Sequence, residues 1–171
     1  MALERAELNK FSESASERYS LFTDSICGRF YAITVNNSFT RNDVAAMYAS
    51  NAARAKSSSD DILKTLFEGL VYANNELTSE LPDRSSNFQV IGEISRAVGD
   101  LIYRQMLRNA ASTYNQANGV LLKASVRQIS QQIAHKDAIE GAMRDVDLKF
   151  VDSVGRKWNG NLYVKNLINK T

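Results

Sequence analysis

Proline is almost absent from this chain: Pro82 is the only one among 171 residues. A typical protein contains about 5% proline, and proline is the residue that most strongly interrupts a helix. Proline also disfavours helical geometry at the residue before it. The sequence therefore predicts long helices, with a joint in the segment ELPDRSSNFQV at 80–90.

Cysteine is equally scarce, because Cys27 is the only one. A single cysteine excludes a disulfide within the chain and favours a reducing compartment. Cys27 lies among the apolar residues Phe22, Ile26 and Phe30. We interpret it as a small buried hydrophobic residue rather than a nucleophile.

Patterns that carry catalysis or bind cofactors are also missing. The only histidine, His135, has Gln132 and Ala138 three residues away on either side, so the Glu-x-x-His spacing of a di-iron bundle is absent. The eight glycines form no phosphate-binding loop. The acidic pairs at 60–61 and 145–147 fit helix N-termini or solvated faces. We predict no catalytic residue, no metal site, no cofactor and no enzyme activity.

Neither a strong net charge nor a long apolar run is present. The formal net charge is +2, and no stretch approaches 18 consecutive apolar residues. The N-terminus MALERAELNK has no apolar signal segment. We expect one soluble domain over residues 1–171 with no membrane partner. A small net charge lets copies pack closely, and it leaves room for a few phosphate contacts.

What the sequence does contain is helical periodicity. Apolar residues recur at spacings of three and four from Leu8 to Ile26, which predicts a helix over 3–26 that stops at Gly28. The segment FYAITV at 30–35 is rich in aromatic and β-branched residues and predicts a strand. Thr40 and Asp43 then resemble a capping box that begins a second helix.

The remaining periodicity predicts several further helices. The second helix fades at 55–61, and a third runs from Ser59 to the joint at Pro82. Beyond it, the pattern predicts a helix over 89–112, a loop over 112–119, a helix ending near His135, and a helical face through 146–158. The predicted core contains Phe11, Phe22, Leu66, Phe67, Leu70, Ile94 and Leu101. The predicted fold class is all-α: an antiparallel helical bundle of four to five main helices with a small strand element.

Basic and amide side chains after the joint are candidates for binding phosphate. Arg104 and Arg108 are four residues apart and share one helix face. Arginines beside amide side chains can hold phosphate through charge-assisted hydrogen bonds. The alternative is a solvated helix face with acidic neighbours such as Asp100. The predicted RNA-binding residues are Arg104, Arg108, Asn109, Lys123 and Arg127.

Three separated patches together point to a known family. Pro82-Asp83 is followed by Phe88-x-Val90, then by a helix containing Leu101, and then by Arg108-Asn109. Phe150 and Trp158 lie eight residues apart near the C-terminus, and Cys27 precedes the step Asn37-Ser-Phe39. This series resembles the coat proteins of rod-shaped plant viruses of the tobamovirus kind.

The resemblance implies a function. It implies a helical bundle that packs side by side with copies of itself into a helical capsid. Arginines beyond the core helix would then meet single-stranded RNA, and the protein would occur in the virion and the host cytoplasm. The alternative hypothesis is a small helical protein-interaction adaptor or regulator without catalytic activity. A bundle that holds a ligand at Cys27 is disfavoured, since an attachment cysteine needs exposure.

Overall fold

The fold is built from three long helices and one short one. The computed structural model describes residues 2–35, 39–80, 87–144, 146, 149–151 and 157–159. The helices are α1 (Ala2–Val35), α2 (Arg41–Glu80), α3 (Phe88–Gln131) and α4 (His135–Met143). Two three-residue strands, β1 (Lys149–Val151) and β2 (Lys157–Asn159), form an antiparallel pair. In the described part of the chain, the prediction of an all-α helical fold is confirmed.

The first two helices run antiparallel. The ring of Phe11, near the start of α1, lies 6.1 Å from the ring of Tyr72, near the end of α2. At the opposite end of this helix pair, Arg29 donates a hydrogen bond to the hydroxyl of Ser50. These two contacts align the helices along most of their length.

The third helix returns antiparallel to α2. The ring of Tyr48 lies 5.1 Å from that of Tyr114, and Leu63 packs against Gly99. Helix α3 ends at Gln131, and Gln132 follows in a left-handed conformation with φ of 53°. That residue turns the chain so that α4 folds back against the last turns of α3.

The predicted strand at 30–35 and the predicted stop at Gly28 are wrong. Helix α1 continues to Val35, because its buried stripe extends from Phe22 and Ile26 to Phe30, which is 2% exposed. Gly28 lies on the exposed side of the helix, where its missing side chain costs no packing contact. Tertiary burial overrides the local β propensity of these residues.

The break predicted at 55–61 is absent as well. Ser59 is 3% exposed and its hydroxyl donates to the carbonyl of Lys56 at 2.8 Å. Lys56 also forms an ion pair with Asp60, one turn later, with Nζ and Oδ1 2.5 Å apart. Because polar residues here bond within their own helix, α2 passes through the segment without interruption.

The predicted loop at 112–119 is also helical. Thr113 and Ala117 are fully buried, and the hydroxyl of Thr113 donates to the carbonyl of Ala110 at 2.7 Å. The amide of Asn51 in α2 reaches the same hydroxyl at 3.4 Å. Residues that favour a loop in isolation are therefore held in α3 by the neighbouring helix.

The capping box at the start of α2 is confirmed. The backbone N–H and the hydroxyl of Thr40 donate to Oδ2 of Asp43 at 2.6 and 2.7 Å, and the N–H of Asp43 points back to the Thr40 hydroxyl at 3.4 Å. Helix α2 ends at Glu80 and α3 begins at Phe88, which agrees with the joint predicted around Pro82. The predicted turn itself lies largely outside the described residues.

The predicted core is only partly correct. Phe22 is 1% exposed, but Phe67, Ile94 and Leu101 are 39%, 48% and 66% exposed. These three side chains lie where α2 and α3 have no further helix covering them. The observed core is concentrated toward the other end of the bundle, where α1, the first half of α2, α4 and the second half of α3 meet.

The helix predicted through 146–158 is wrong for the described residues in that range. Phe150 lies opposite Trp158 in the antiparallel strand pair. A spacing of four residues also keeps side chains on one face of a strand, so it could not separate the two structures. The four-residue spacing also predicts that Phe150 and Trp158 pack together, and those side chains lie outside what the structure describes.

Candidate nucleic-acid interface on helix α3

Helix α3 has two faces of opposite character. It contains 44 residues and is therefore about 66 Å long at about 1.5 Å per residue. Its buried residues are mostly small or polar: Ile91, Ser95, Gly99, Met106, Asn109, Ala110, Thr113, Ala117, Val120 and Ala124. The candidate site lies on the opposite, outward face.

Arg104 and Arg108 are the two basic residues on this outward face. Both are exposed, and neither has an ion-pair or hydrogen-bond partner among the described residues. Asp100, considered as a local acidic partner, forms no ion pair with Arg104; it lines a groove with Lys56 and Tyr103 on the side facing α2. The two guanidinium groups therefore remain available to an anion from outside.

Asn109, the third predicted RNA-binding residue, points into the bundle. It is 3% exposed, and its Nδ2 donates to the hydroxyl of Tyr19 in α1 at 3.0 Å. Gln105 donates to its Oδ1 at 3.3 Å. One residue is a rotation of about 100° on a helix, which turns Asn109 away from Arg108 and toward α1. It joins two helices and cannot reach a phosphate on the outward face.

Lys123 and Arg127 do not join the arginine pair. Lys123 is exposed, but it lies 15 positions after Arg108, about 22 Å along the helix. The guanidinium of Arg127 packs so closely against Gly141 of α4 that a side chain at that glycine would collide with it. Arg127 thus contributes to the contact between α3 and α4.

Two grooves between α2 and α3 are small and chemically plain. The larger, about 340 Å³, lies between α2 and α3 and is lined by residues including Leu63, Phe67, Gly92 and Ser95. The other, about 160 Å³, contains Lys56 and Asp60, which already pair with each other. In the described part of the chain, no group of three His, Cys, Asp or Glu side chains could hold a metal ion.

Cys27 is the one nucleophile considered from the sequence, and the structure buries it. The side chain is 0% exposed within the core formed by α1 and its neighbours. Burial, with a smaller contribution from Asp24, raises the pKa of its thiol to about 12. The thiolate that a nucleophile needs is therefore not populated at neutral pH.

Among residues 2–35, 39–80, 87–131 and 135–143, no helix is both long and apolar enough to span a bilayer.

The sequence reasoning missed the aliphatic residues that flank the arginines on the outward face. Ten of twelve successive positions on this face are exposed, and Ala111 and Asn118 are half-buried. We call these twelve positions the outer seam: Val90, Ile94, Ala97, Leu101, Arg104, Arg108, Ala111, Asn115, Asn118, Leu122, Val126 and Ile129. The sequence does contain a signal for this outward face. Small residues recur in a stripe on the opposite side of α3, and that stripe is the side that packs inward.

Comparisons with known proteins identified no relative of this chain. No protein-family model matches the chain, no curated protein matches it, and no solved structure matches its fold. The function is therefore argued from the geometry of α3 and the bundle that supports it.

Proposed function

We propose that this chain is a structural coat protein that assembles with copies of itself and binds single-stranded RNA through phosphate contacts. The observation that carries the proposal is the pair Arg104 and Arg108, exposed and unpartnered at the middle of the longest helix. The resemblance to tobamovirus-type coat proteins supports the same function. It would place the protein in the virion and the host cytoplasm.

The arginine pair suits phosphate chemically. A guanidinium group presents a planar fork of donors that matches two phosphate oxygens, and it stays charged at any physiological pH. Such contacts are indifferent to base identity, which is what a coat protein requires of its genome contacts. Lys123 can add a further contact along the same helix, whereas Asn109 and Arg127 are occupied within the bundle.

The bundle suits lateral assembly. Its three long helices of 34, 40 and 44 residues give an elongated shape with long sides, along which copies can stack. Large aliphatic side chains remain exposed along α3, including Leu101 at 66% and Leu122 at 65%. Exposed aliphatic residues in a row mark surfaces that contact other proteins.

A protein-interaction adaptor is the second candidate, and the same exposed aliphatic residues favour it. An adaptor would use them to dock a different protein and would have no need for Arg104 and Arg108. Electron microscopy of the purified protein separates the two hypotheses. Rods or stacked discs support the coat protein, and a persistent monomer supports the adaptor.

The RNA contact is tested by the salt dependence of binding. Each phosphate contact contributes about 0.7 to the slope of log affinity against log salt for single-stranded nucleic acid. Replacing Arg104→Gln and Arg108→Gln together should lower that slope by about 1.4. The assay is fluorescence anisotropy of a labelled poly(U) oligomer across a salt series.

The matched control removes two positive charges from exposed residues of α2, Arg41→Gln with Lys64→Gln. This control keeps the net charge of the test variant, so it separates local contacts from a general loss of attraction. Equal slopes for the test variant and the wild-type protein would remove the arginine pair from the RNA site.

A further inference from the structure

We infer that two copies of this chain pair through the outer seam of α3 in antiparallel orientation, and that phosphate bound between their arginines strengthens the pair. The inference deepens the proposed function, on which it rests for the phosphate ligand. It assigns the exposed aliphatic residues of α3 to a contact with a second copy.

The spacing of the outer seam is that of a helix-pairing surface. From Val90 to Leu122 its positions are separated alternately by four and three residues, the heptad pattern of coiled coils. The large aliphatic residues of the seam lie toward its two ends and are 42% to 83% exposed: Val90, Ile94, Leu101, Leu122, Val126 and Ile129. The centre is polar and contains Arg104, Arg108, Asn115 and Asn118.

The seam is complementary to itself when a second copy runs in the opposite direction. We place the two-fold axis that relates the two copies of α3 between residues 109 and 110. This register puts Val90 opposite Ile129 of the second copy. The same register puts Ala97 opposite Leu122 of that copy. Ile94 and Val126 of the second copy are offset by one residue, about 1.5 Å along the axis, so the aliphatic ends overlap without facing each other residue by residue.

Charge favours the antiparallel orientation over the parallel one. The seam contains no acidic residue, so a parallel pair would place each arginine opposite the same arginine of the other copy. The antiparallel register instead places Arg104 opposite Asn115 and Arg108 opposite Ala111 of the second copy. The side-chain oxygen of Asn115 can accept a hydrogen bond from a guanidinium group.

The amount of apolar surface fits a pair of stable size. A fully exposed aliphatic side chain presents on the order of 100 Å² of apolar surface, so six that are 42% to 83% exposed supply a few hundred Å² per copy. An interface of standard size buries about 800 Å² per partner, of which about 450 Å² is apolar. The seam therefore supplies most of the apolar area that such an interface needs.

The paired seam would also gather four arginines around its centre. Arg108 of one copy and Arg108 of the other lie only three residues apart along the axis, or about 4.5 Å. The two Arg108 guanidinium groups repel each other at this spacing, and an RNA phosphate between them would relieve that repulsion. RNA binding and pairing would then strengthen each other by the same factor.

The pairing is tested by sedimentation velocity over a concentration series, with and without a poly(U) oligomer. Leu122→Asp should weaken pairing at least tenfold, because it places a charge inside the seam. The matched control is Leu21→Asp on α1, which has similar exposure at 60% against 65% and should pair like the wild-type protein.

Three outcomes would overturn the pairing. The wild-type protein could remain monomeric at all concentrations with and without RNA, Leu122→Asp could pair normally, or the control could lose pairing equally. If a monomer still bound poly(U) with the full salt slope, the RNA contact would stand and only the pairing would fail.

The orientation is tested by single cysteines at facing positions. Leu101→Cys and Asn118→Cys face each other in the antiparallel register, so a mixture of the two variants should form a disulfide-linked heterodimer under mild oxidation. Each variant alone should cross-link poorly, and the buried Cys27 should not compete. Efficient cross-linking of Leu101→Cys with itself would establish a parallel pair and overturn the antiparallel one.

The coupling to phosphate is tested with the Arg104→Gln, Arg108→Gln variant. Without RNA it should pair more tightly than the wild-type protein, since its repulsion is gone. Addition of poly(U) should tighten wild-type pairing at least tenfold and leave this variant unchanged. Equal tightening of both proteins would show that the RNA acts elsewhere.

Discussion

Burial of Cys27 keeps its thiol protonated and therefore lowers its reactivity. Its thiol has a pKa raised from 9.0 to about 12, chiefly by desolvation and secondarily by Asp24. We expect the folded protein to react with iodoacetamide at pH 8 at least a hundredfold more slowly than the urea-unfolded protein. Mass spectrometry of the alkylated chain measures both rates. Comparable rates would mean that the thiol is accessible.

The same burial predicts a pH dependence of stability. The unfolded thiol ionises near pH 9 while the folded thiol stays protonated, so the contribution of Cys27 is full below pH 9 and is lost as the pH rises toward 12. In that window the free energy of unfolding should fall by up to about 1.4 kcal/mol per pH unit. Urea titrations of the wild-type protein and Cys27→Ala measure the effect. The alanine variant should lack this part of the decline.

Thr40 caps α2 and should be worth measurable stability. Thr40→Ala removes one hydroxyl that has two roles: it accepts from the N–H of Asp43, and it donates to the carboxylate of Asp43. We expect the free energy of unfolding to fall by about 1 kcal/mol, the usual value for such a cap. Asn42→Ala, at the exposed neighbouring residue, is the control and should change it by less than about 0.5 kcal/mol.

At the scale of elements, a layer of polar side chains ties the three long helices together. Asn109 of α3 bonds to Tyr19 of α1, and Asn51 of α2 bonds to Thr113 of α3. Asn109→Ala should lower the free energy of unfolding by about 1–2 kcal/mol and leave the RNA salt slope unchanged. Asn115→Ala, exposed on the same helix, should leave stability nearly unaffected. If the Asn109→Ala protein kept its stability but showed a smaller salt slope of RNA binding, Asn109 would contact RNA rather than join the helices.

The helices themselves could be predicted from the sequence, but their continuity could not. Spacings of three and four residues identified most of α1, both halves of α2, and α3 on both sides of the predicted loop, and Thr40 with Asp43 identified a start. The breaks placed at 55–61 and 112–119 were wrong because the partners of those polar residues are distant in the chain. Thr113 and Asn51 are 62 residues apart, and Asn109 and Tyr19 are 90 apart. No local window contains that information.

The residues of the candidate site, like the helices, could be predicted only in part from the sequence. The four-residue spacing placed Arg104 and Arg108 on one face, and the structure exposes both. Asn109 was misassigned because neighbours in sequence point about 100° apart on a helix. Ile94 and Leu101 were assigned to the core because apolar residues recur around them at spacings of three and four. The smaller residues of α3 face inward instead, and only the positions of α1 and α2 reveal which face is covered.

At the scale of the whole molecule, stability is concentrated toward one end of the bundle. Phe22 is 1% exposed and surrounded by the core, whereas Phe67 is 39% exposed where α2 and α3 are covered less. Phe22→Ala should cost about 3–5 kcal/mol of unfolding free energy, and Phe67→Ala clearly less. Urea titrations followed by circular dichroism compare the two. Equal losses would place Phe67 in an interface that persists in solution.

The inward face of α3 has a consequence for how this gene can vary. Gly99 packs against Leu63, and Ala110, Ala117 and Ala124 are fully buried, so larger residues there have no room. A deep mutational scan of α3 should therefore find its least replaceable positions among its smallest residues. If copies pair through the opposite face, tolerance at Leu122 and Ile129 would also collapse, but only when selection acts on assembled particles rather than on folded chains.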